Sequence, residues 1–275
     1  MTDRYAVIGN PISHSKSPLI HARFARETGQ DIEYGALLGP LDGFAAVVRS
    51  FRAAGGLGLN VTVPFKLAAC ELADFRSERV RLAGAANALK FDLQGIHAEN
   101  FDGIGLVNDI EHNLGLALRG KRILLVGAGG AARGVLLPFL EREPAELVIV
   151  NRTLRTAEQL AEMVAAYGKV SSAGYSDIPG ERFDLVVNAS SASLSGDALP
   201  LPQNVFSRSG LAYEMAYGKG LTPFLQLAAD AGTGRLADGA GMLVEQAAES
   251  FFWWRGVRPA TAELVRELSL PLQAG

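Results

Sequence analysis

A chain of 275 residues is long for one domain and comfortable for two. Its 48% hydrophobic and 20% charged residues describe an ordinary globular chain able to bury a large core. The net charge of −3, with no basic run, argues against a nucleic-acid partner, and the longest apolar stretches are too short and interrupted to span a bilayer.

The single cysteine, Cys70, rules out an internal disulfide and fits a cytoplasmic, reducing setting. Its apolar helical neighbourhood reads as core filling. Tyr5 to Ile8 enters a strand-like run almost at once, so no signal peptide is expected before it. His14, His21, His97 and His112 show no metal-ligand spacing with Cys, Asp or Glu, and no metal site is expected.

After the first strand and Gly9-Asn-Pro11 comes Ile12-Ser-His-Ser-Lys-Ser-Pro18. Ser17 and Pro18 read as the N-cap and first residue of a helix that stops at Gly29. That leaves Ser15 and Lys16 without a structural task, and hydroxyls at a helix start suit a carboxylate. Ile32 to Leu38 reads as a strand, and Leu41 to Arg52 as a helix with apolar residues at helical spacing.

Leu59-Asn-Val-Thr-Val-Pro-Phe-Lys66 reads as a short buried strand stopped by Pro64, with Lys66 just beyond its C-terminal end. Ligands bind at such strand ends in open α/β sheets. Lys66 is therefore either a solvated helix-start lysine or a partly desolvated functional one. Ala88 to Glu99 reads as a hairpin around Leu93-Gln-Gly95, preceded by Asn87, which by itself is only a turn residue. Asp102 reads as the N-cap of a helical run from Ile104 to Leu118 and marks the end of the first domain.

The middle of the chain holds Ile123-Leu-Leu-Val-Gly-Ala-Gly-Gly-Ala131, a buried strand, a glycine turn and the start of a helix through Leu140. Gly127, Gly129 and Ala132 fit G-x-G-x-x-A, which suits the pyrophosphate of a dinucleotide. The next strand, Leu147 to Val150, ends in Asn151-Arg152-Thr153, and no Asp or Glu follows up to Arg155. Arg152 and Arg155 stand there instead. Guanidinium forks suit a 2′-phosphate, while bare cations are disfavoured at a helix start, so the expected cofactor is NADP.

Phe183 to Val187 reads as another buried strand, ending in Asn188-Ala-Ser-Ser191, which either lines a nicotinamide pocket or makes a plain turn. Leu211 to Met215 is a further strand, and Thr222-Pro223 caps the helix that follows. Asp238-Gly-Ala-Gly-Met-Leu243 opens a helix through Trp254, with Gln246 a polar group at the edge of an apolar face. Phe251 to Trp254 reads as packing rather than a ligand box.

Read together, these stretches resemble the shikimate dehydrogenase family over nearly the whole chain and in the same order. The matching motifs are Ile8 to Pro18 with its HSKSP core, NVTVPFK at Asn60 to Lys66, GAGGA at Gly127 to Ala131, NRT at Asn151 to Thr153, and DGxGMLVxQ at Asp238 to Gln246. The resemblance implies an α/β protein with an N-terminal substrate domain (1–101, completed by 238–275) and a Rossmann-type NADP domain (102–237), a C-terminal helix returning to the first. It implies reversible NADPH-dependent reduction of 3-dehydroshikimate to shikimate in aromatic amino-acid biosynthesis, with monomers and homodimers both represented.

The roles it implies follow residue by residue. Lys66 and Asp102 form the catalytic pair, Ser15 and Ser17 bind the substrate carboxylate, and Thr62, Asn87, Tyr217 and Gln246 contact substrate. Gly127, Ala128, Gly129, Gly130, Ala131, Asn151, Arg152, Thr153 and Arg155 hold the cofactor, with Met215 and Gly239 against the nicotinamide. Three positions depart from the pattern: Phe101 replaces a Thr beside Asp102, Glu214 an Asp before Met215, and Arg155 lies one place earlier than usual. Phe101 keeps open a relative preferring quinate or an amino-shikimate analogue. A non-catalytic NADP-binding regulator of the same fold would not need Lys66, Asp102, Ser15 and Ser17 together. The HSKSP and NVTVPFK matches speak against a methylene-folate dehydrogenase-like enzyme.

Overall fold

The computed structural model describes residues 2–180, 182–192, 196–270 and 272. Its contacts divide the chain into two units, Met1–Gly105 with Val244–Leu264, and Leu106–Leu243 with Val265–Gly275. The sequence reading drew the limits at 1–101, 102–237 and 238–275. The contacts put the crossings a few residues later, inside two helices, and assign the last residues to the second unit.

The first unit is built on six strands: β1 (Asp3–Gly9), β2 (Ile32–Leu38), β3 (Gly56–Val61), β4 (Phe75–Arg76), β5 (Ala88–Phe91) and β6 (Ile96–Glu99). They lie in the order β2-β1-β3-β5-β6-β4. β1 pairs in parallel with β2 and β3, whereas β5 runs antiparallel to both β3 and β6, forming the expected hairpin. Ile8, Leu59, Val61 and Leu89 pack beneath Phe44, Val48 and Phe65. Here α1 (Ser17–Thr28), α2 (Phe44–Ala53), α3 (Lys66–Leu72) and α4 (Glu78–Ala83) connect the strands. Trp254 stacks on Tyr5 with ring centroids 4.7 Å apart and donates its indole N–H to Leu89 O, and Phe251 is buried, so these two pack as expected while Phe252 is exposed.

Leading into the second unit, α5 (Asp102–Asn108) gives way to one π-helical turn at Asp109–Asn113, and the expected helix does not reach Leu118. The cause is tertiary: buried Asp109 accepts a hydrogen bond from Tyr213 Oη at 2.7 Å and packs against Gly241. Six strands follow: β7 (Arg122–Val126), β8 (Glu146–Val150), β9 (Val170–Ala173), β10 (Phe183–Asn188), β11 (Phe206–Glu214) and β12 (Arg235–Asp238). They are parallel throughout, in the order β12-β11-β10-β7-β8-β9.

Helices α6 (Gly130–Leu140), α7 (Leu154–Val164) and α8 (Pro223–Asp230) belong to this unit, and α9 (Ala240–Arg255) and α10 (Ala262–Leu268) complete the chain. Ile123 and Leu125 enter one core while Leu124 and Val126 enter another. Both faces of the sheet are covered, which is why its strands read as unbroken apolar runs. Strand order reverses between β7 and β10, and ligands bind outside the carboxyl ends at such a switch point.

Candidate active site

In the first unit β3 ends at Val61, and the turn Thr62–Phe65 closes with Phe65 N–H donating to Thr62 O at 3.0 Å. Phe65 is buried against Phe44, fixing the turn, and α3 then starts at Lys66 beside the strand's carboxyl end. Lys66 Nζ donates to Asp102 Oδ2 at 2.5 Å, with 32% and 16% of the two side chains exposed. The lysine is therefore ion-paired and half-sheltered, not a solvated helix-start residue.

Asp102 is not an N-cap. It is the first residue of α5, and its carboxylate faces Lys66 and Asn87 instead. Asn87 Nδ2 donates to Asp102 Oδ1 at 2.9 Å and to Gln246 Oε1 at 3.2 Å, giving the polar residue on α9 the partner it needed. Ser17 also differs from expectation: Lys16 holds the cap position, and buried Ser17 opens the helix. Its N–H donates to Ser15 Oγ at 3.3 Å, which ties together the two serines expected to meet a carboxylate. Thr62 lies over Gly9, where a Cβ would sit 2.4 Å from Thr62 Cγ2.

Three polar residues behind this group were not picked out from the sequence. Tyr34 Oη donates to Asn60 Oδ1 at 2.7 Å and hydrogen-bonds Ser17, while Asn60 Nδ2 donates to Ser250 Oγ at 2.8 Å. Burial pushes the Tyr34 phenol well above its usual range. The available signal was Asn60 itself, a polar residue inside an otherwise apolar buried strand.

In the second unit Gly127 adopts φ +107°, where a Cβ would sit 3.0 Å from Ser190 N. A side chain is doubly disfavoured there, by conformation and by the close approach of the neighbouring loop. Gly129 and Gly130 differ: a Cβ on either would meet nothing within 4 Å. Gly129 to Ala131 are exposed at the start of α6, whose first N–H groups have no partner within the helix. This open, glycine-lined helix start is a cradle a phosphate fits and side chains would fill.

Arg152 follows β8, is exposed, and has no ion-pair partner among the described residues; its charge is felt by the Tyr175 phenol. Thr153 occupies the cap position of α7, and Asn151 Nδ2 donates to Thr153 O at 3.0 Å. Arg155 lies along its own helix, 3.5 Å from Glu158 and 4.0 Å from Glu162. Part of its charge is already answered there.

At the ends of β10 and β11, buried Glu214 accepts from Asn188 Nδ2 at 2.9 Å and from Thr222 Oγ1 at 3.2 Å. Asn188 Oδ1 in turn accepts from Ser190 N and Oγ, so the small polar residues after β10 form a hydrogen-bonded turn tied to Glu214. Thr222 caps α8 as expected by accepting from Leu225 N. Gly239 lies against Met215, where a Cβ would be 2.2 Å from the Met215 carbonyl oxygen. Tyr217 also belongs to this unit; it is 44% exposed, and burial of the rest raises its phenol pKa.

Among the described residues no group of three His, Cys, Asp or Glu is placed to hold a metal ion, and no helix is long and apolar enough to cross a membrane.

Comparison with known proteins covers both units. A family model of the shikimate dehydrogenase substrate binding domain matches residues 7–89, one of shikimate / quinate 5-dehydrogenase matches 109–195, and one of the shikimate 5'-dehydrogenase C-terminal domain matches 239–268. A Nitrosospira multiformis protein named shikimate dehydrogenase (NADP(+)) is 59% identical over 265 residues, 96% of each chain. The crystal structure of an Ael1 enzyme from Pseudomonas putida superposes with TM-score 0.95 at 59% identity, covering 99% of this chain and all of that one. Shikimate 5-dehydrogenase from Thermus thermophilus, solved with NADP(H) and shikimate, gives TM-score 0.84 at 30% identity over 97% of this chain and 100% of its own.

Proposed function

The chain belongs to the shikimate dehydrogenase family, and from that premise we propose that it interconverts shikimate and 3-dehydroshikimate with NADP as cofactor. The observation that carries the reading is the 2.5 Å contact of Lys66 with Asp102 at the carboxyl end of a parallel strand, hydrogen-bonded on through Asn87 to Gln246.

NADPH, when bound, supplies the hydride. The open turn Gly127 to Ala131 would hold its pyrophosphate, Asn151, Arg152, Thr153 and Arg155 its adenosine phosphate, and Met215 and Gly239 its nicotinamide. Arg152 is the stronger of the two phosphate ligands because Arg155 already faces two carboxylates.

As the substrate ketone is reduced, its oxygen gains negative charge. The Lys66 ammonium stabilises that oxygen and passes it a proton from Nζ. In the reverse direction Lys66 takes the hydroxyl proton back. Asp102 Oδ2 holds Nζ in place and compensates its charge. Ser15 and Ser17 bind the substrate carboxylate, while Thr62, Asn87, Tyr217 and Gln246 contact substrate. Fixing the substrate against the proton donor contributes through orientation.

The test follows absorbance of reduced nicotinamide while shikimate and quinate are each offered with NADP and with NAD. Rapid turnover of shikimate with NADP is expected. Turnover confined to quinate, or none with either substrate while NADP still binds, overturns the reading.

A further inference from the structure

The π-helical turn that follows α5 has no part in the chemistry proposed above, yet it carries a buried carboxylate. Such turns are rare and often lie at functional sites. Asp109, which opens the turn, is 2% exposed, and its partner Tyr213 is fully buried. Tyr213 Oη donates to Asp109 Oδ2 at 2.7 Å, and Asn113 Nδ2 donates to Oδ1 at 3.0 Å. Burial first, and the Asp109 charge second, hold the Tyr213 phenol well above its usual range, so it keeps the proton it donates.

The same phenol oxygen also accepts. The first N–H groups of a helix lack partners within it, and at α9 two of them are answered from β11 and β12. Met242 N–H donates to Tyr213 Oη at 3.3 Å, and Ala240 N–H to Asp238 Oδ1 at 3.1 Å. Gly241, between them, lies so close to Asp109 that a Cβ would collide with its carboxylate. Arg235 on β12 donates to Leu114 O, which ties the end of the π-helical turn to the same pair of strands.

Gly239 stands immediately before this first turn of α9. Its N–H donates to Ala216 O at 3.2 Å, and its Cα lies against the Met215 carbonyl. On one side the strand ends fix these residues; on the other, the turn that Tyr213 and Asp109 hold.

The geometry points to Asp109 and Tyr213 as positioning residues for the nicotinamide end of the cofactor, acting through the first turn of α9 on Gly239 and Met215. This rests on the proposed place of Met215 and Gly239 at the nicotinamide. The glycine turn and Arg152 follow other strands, β7 and β8, so loss of the phenol hydroxyl should leave the adenosine end in place. A nicotinamide displaced by about 1 Å should slow hydride transfer by up to about 100-fold.

The experiment compares the full-length wild type with Tyr213→Phe, which removes one hydroxyl and keeps the buried ring. Stopped-flow absorbance gives the single-turnover rate of NADPH oxidation at saturating NADPH and 3-dehydroshikimate. Titration gives the dissociation constant of adenosine 2′,5′-bisphosphate, which lacks the nicotinamide. Thermal melting checks folding, and Asp109→Asn, which weakens the same hydrogen bond, takes over if Tyr213→Phe is not folded. The expected result is a rate about 10- to 100-fold lower, with the bisphosphate constant within about two-fold of wild type. A rate lowered less than about tenfold, or a bisphosphate affinity lowered more than about two-fold, makes the pair a general prop of the sheet and overturns the inference. No NADPH oxidation by the wild type instead overturns the function on which it rests.

Discussion

Lys66 and Asp102 meet at 2.5 Å although 36 positions separate them in sequence. The contact depends on a turn anchored by buried Phe65, which starts α3 at the end of β3, and on α5 opening with the Asp102 carboxylate. Replacing Lys66 by Ala removes the proposed proton donor and leaves the glycine turn and Arg152 untouched. Turnover should fall by about 10²- to 10⁴-fold, with the dissociation constant for NADP within a factor of about two. Fluorescence titration and steady-state rates check this, and near-wild-type turnover removes Lys66 from the mechanism.

Cofactor choice should depend on Arg152 more than on Arg155. Arg152 has no carboxylate partner among the described residues, whereas Arg155 lies beside Glu158 and Glu162. Arg152→Ala should weaken NADP binding by about tenfold or more and leave NAD nearly unchanged; Arg155→Ala should do less. Parallel titrations with the two dinucleotides decide it. An equal loss for NAD and NADP would mean that Arg152 does not contact the 2′-phosphate.

Acid should destabilise the first unit through His21. Its ring is fully buried, stacked on Tyr34 with centroids 4.0 Å apart, and packed near Phe24, Phe251 and Trp254. Burial lowers its pKa from 6.5 to about 3, against a smaller upward pull from Asn60. Below pH 6.5 the unfolded chain therefore binds a proton that the folded one refuses, so stability falls with pH until about pH 3 is approached. The slope from this one group is about 1.4 kcal/mol per pH unit. Urea unfolding between pH 6.5 and pH 5 should show that extra slope in the wild type and lose it in His21→Phe. Parallel slopes would remove His21 from the acid response.

Elements set by local chemistry could be read directly from the sequence. The strand, glycine turn and helix around Gly127, the hairpin after Asn87 and the Thr222 cap all have signatures within a few residues. Ser17 and Asp102 also carried strong cap signatures, but both sit inside their helices. Their side chains are taken by partners far along the chain, Tyr34 for one and Lys66 for the other. The break at Asp109 has the same origin, because only the folded sheet brings Tyr213 to it. Edge strand β9 was missed because four half-polar residues show no clear alternation. Asn60, polar in a buried strand, could have been noticed; its links to Tyr34 and Ser250 could not, since nothing local ties those three together.

The glycines of the second unit are there for different reasons, and descent should record the difference. At Gly239 the Met215 carbonyl leaves no room for a Cβ, and at Gly127 a positive φ and the close Ala189–Ser190 backbone disfavour one, whatever is bound. At Gly129 and Gly130 the surrounding space is open, and only a visiting molecule would object to a side chain. A lineage that abandoned the dinucleotide would thus keep the first two and let the second two drift. Whether Gly129 and Gly130 survive in a diverged descendant would tell whether it still carries the cofactor, before any assay of its chemistry.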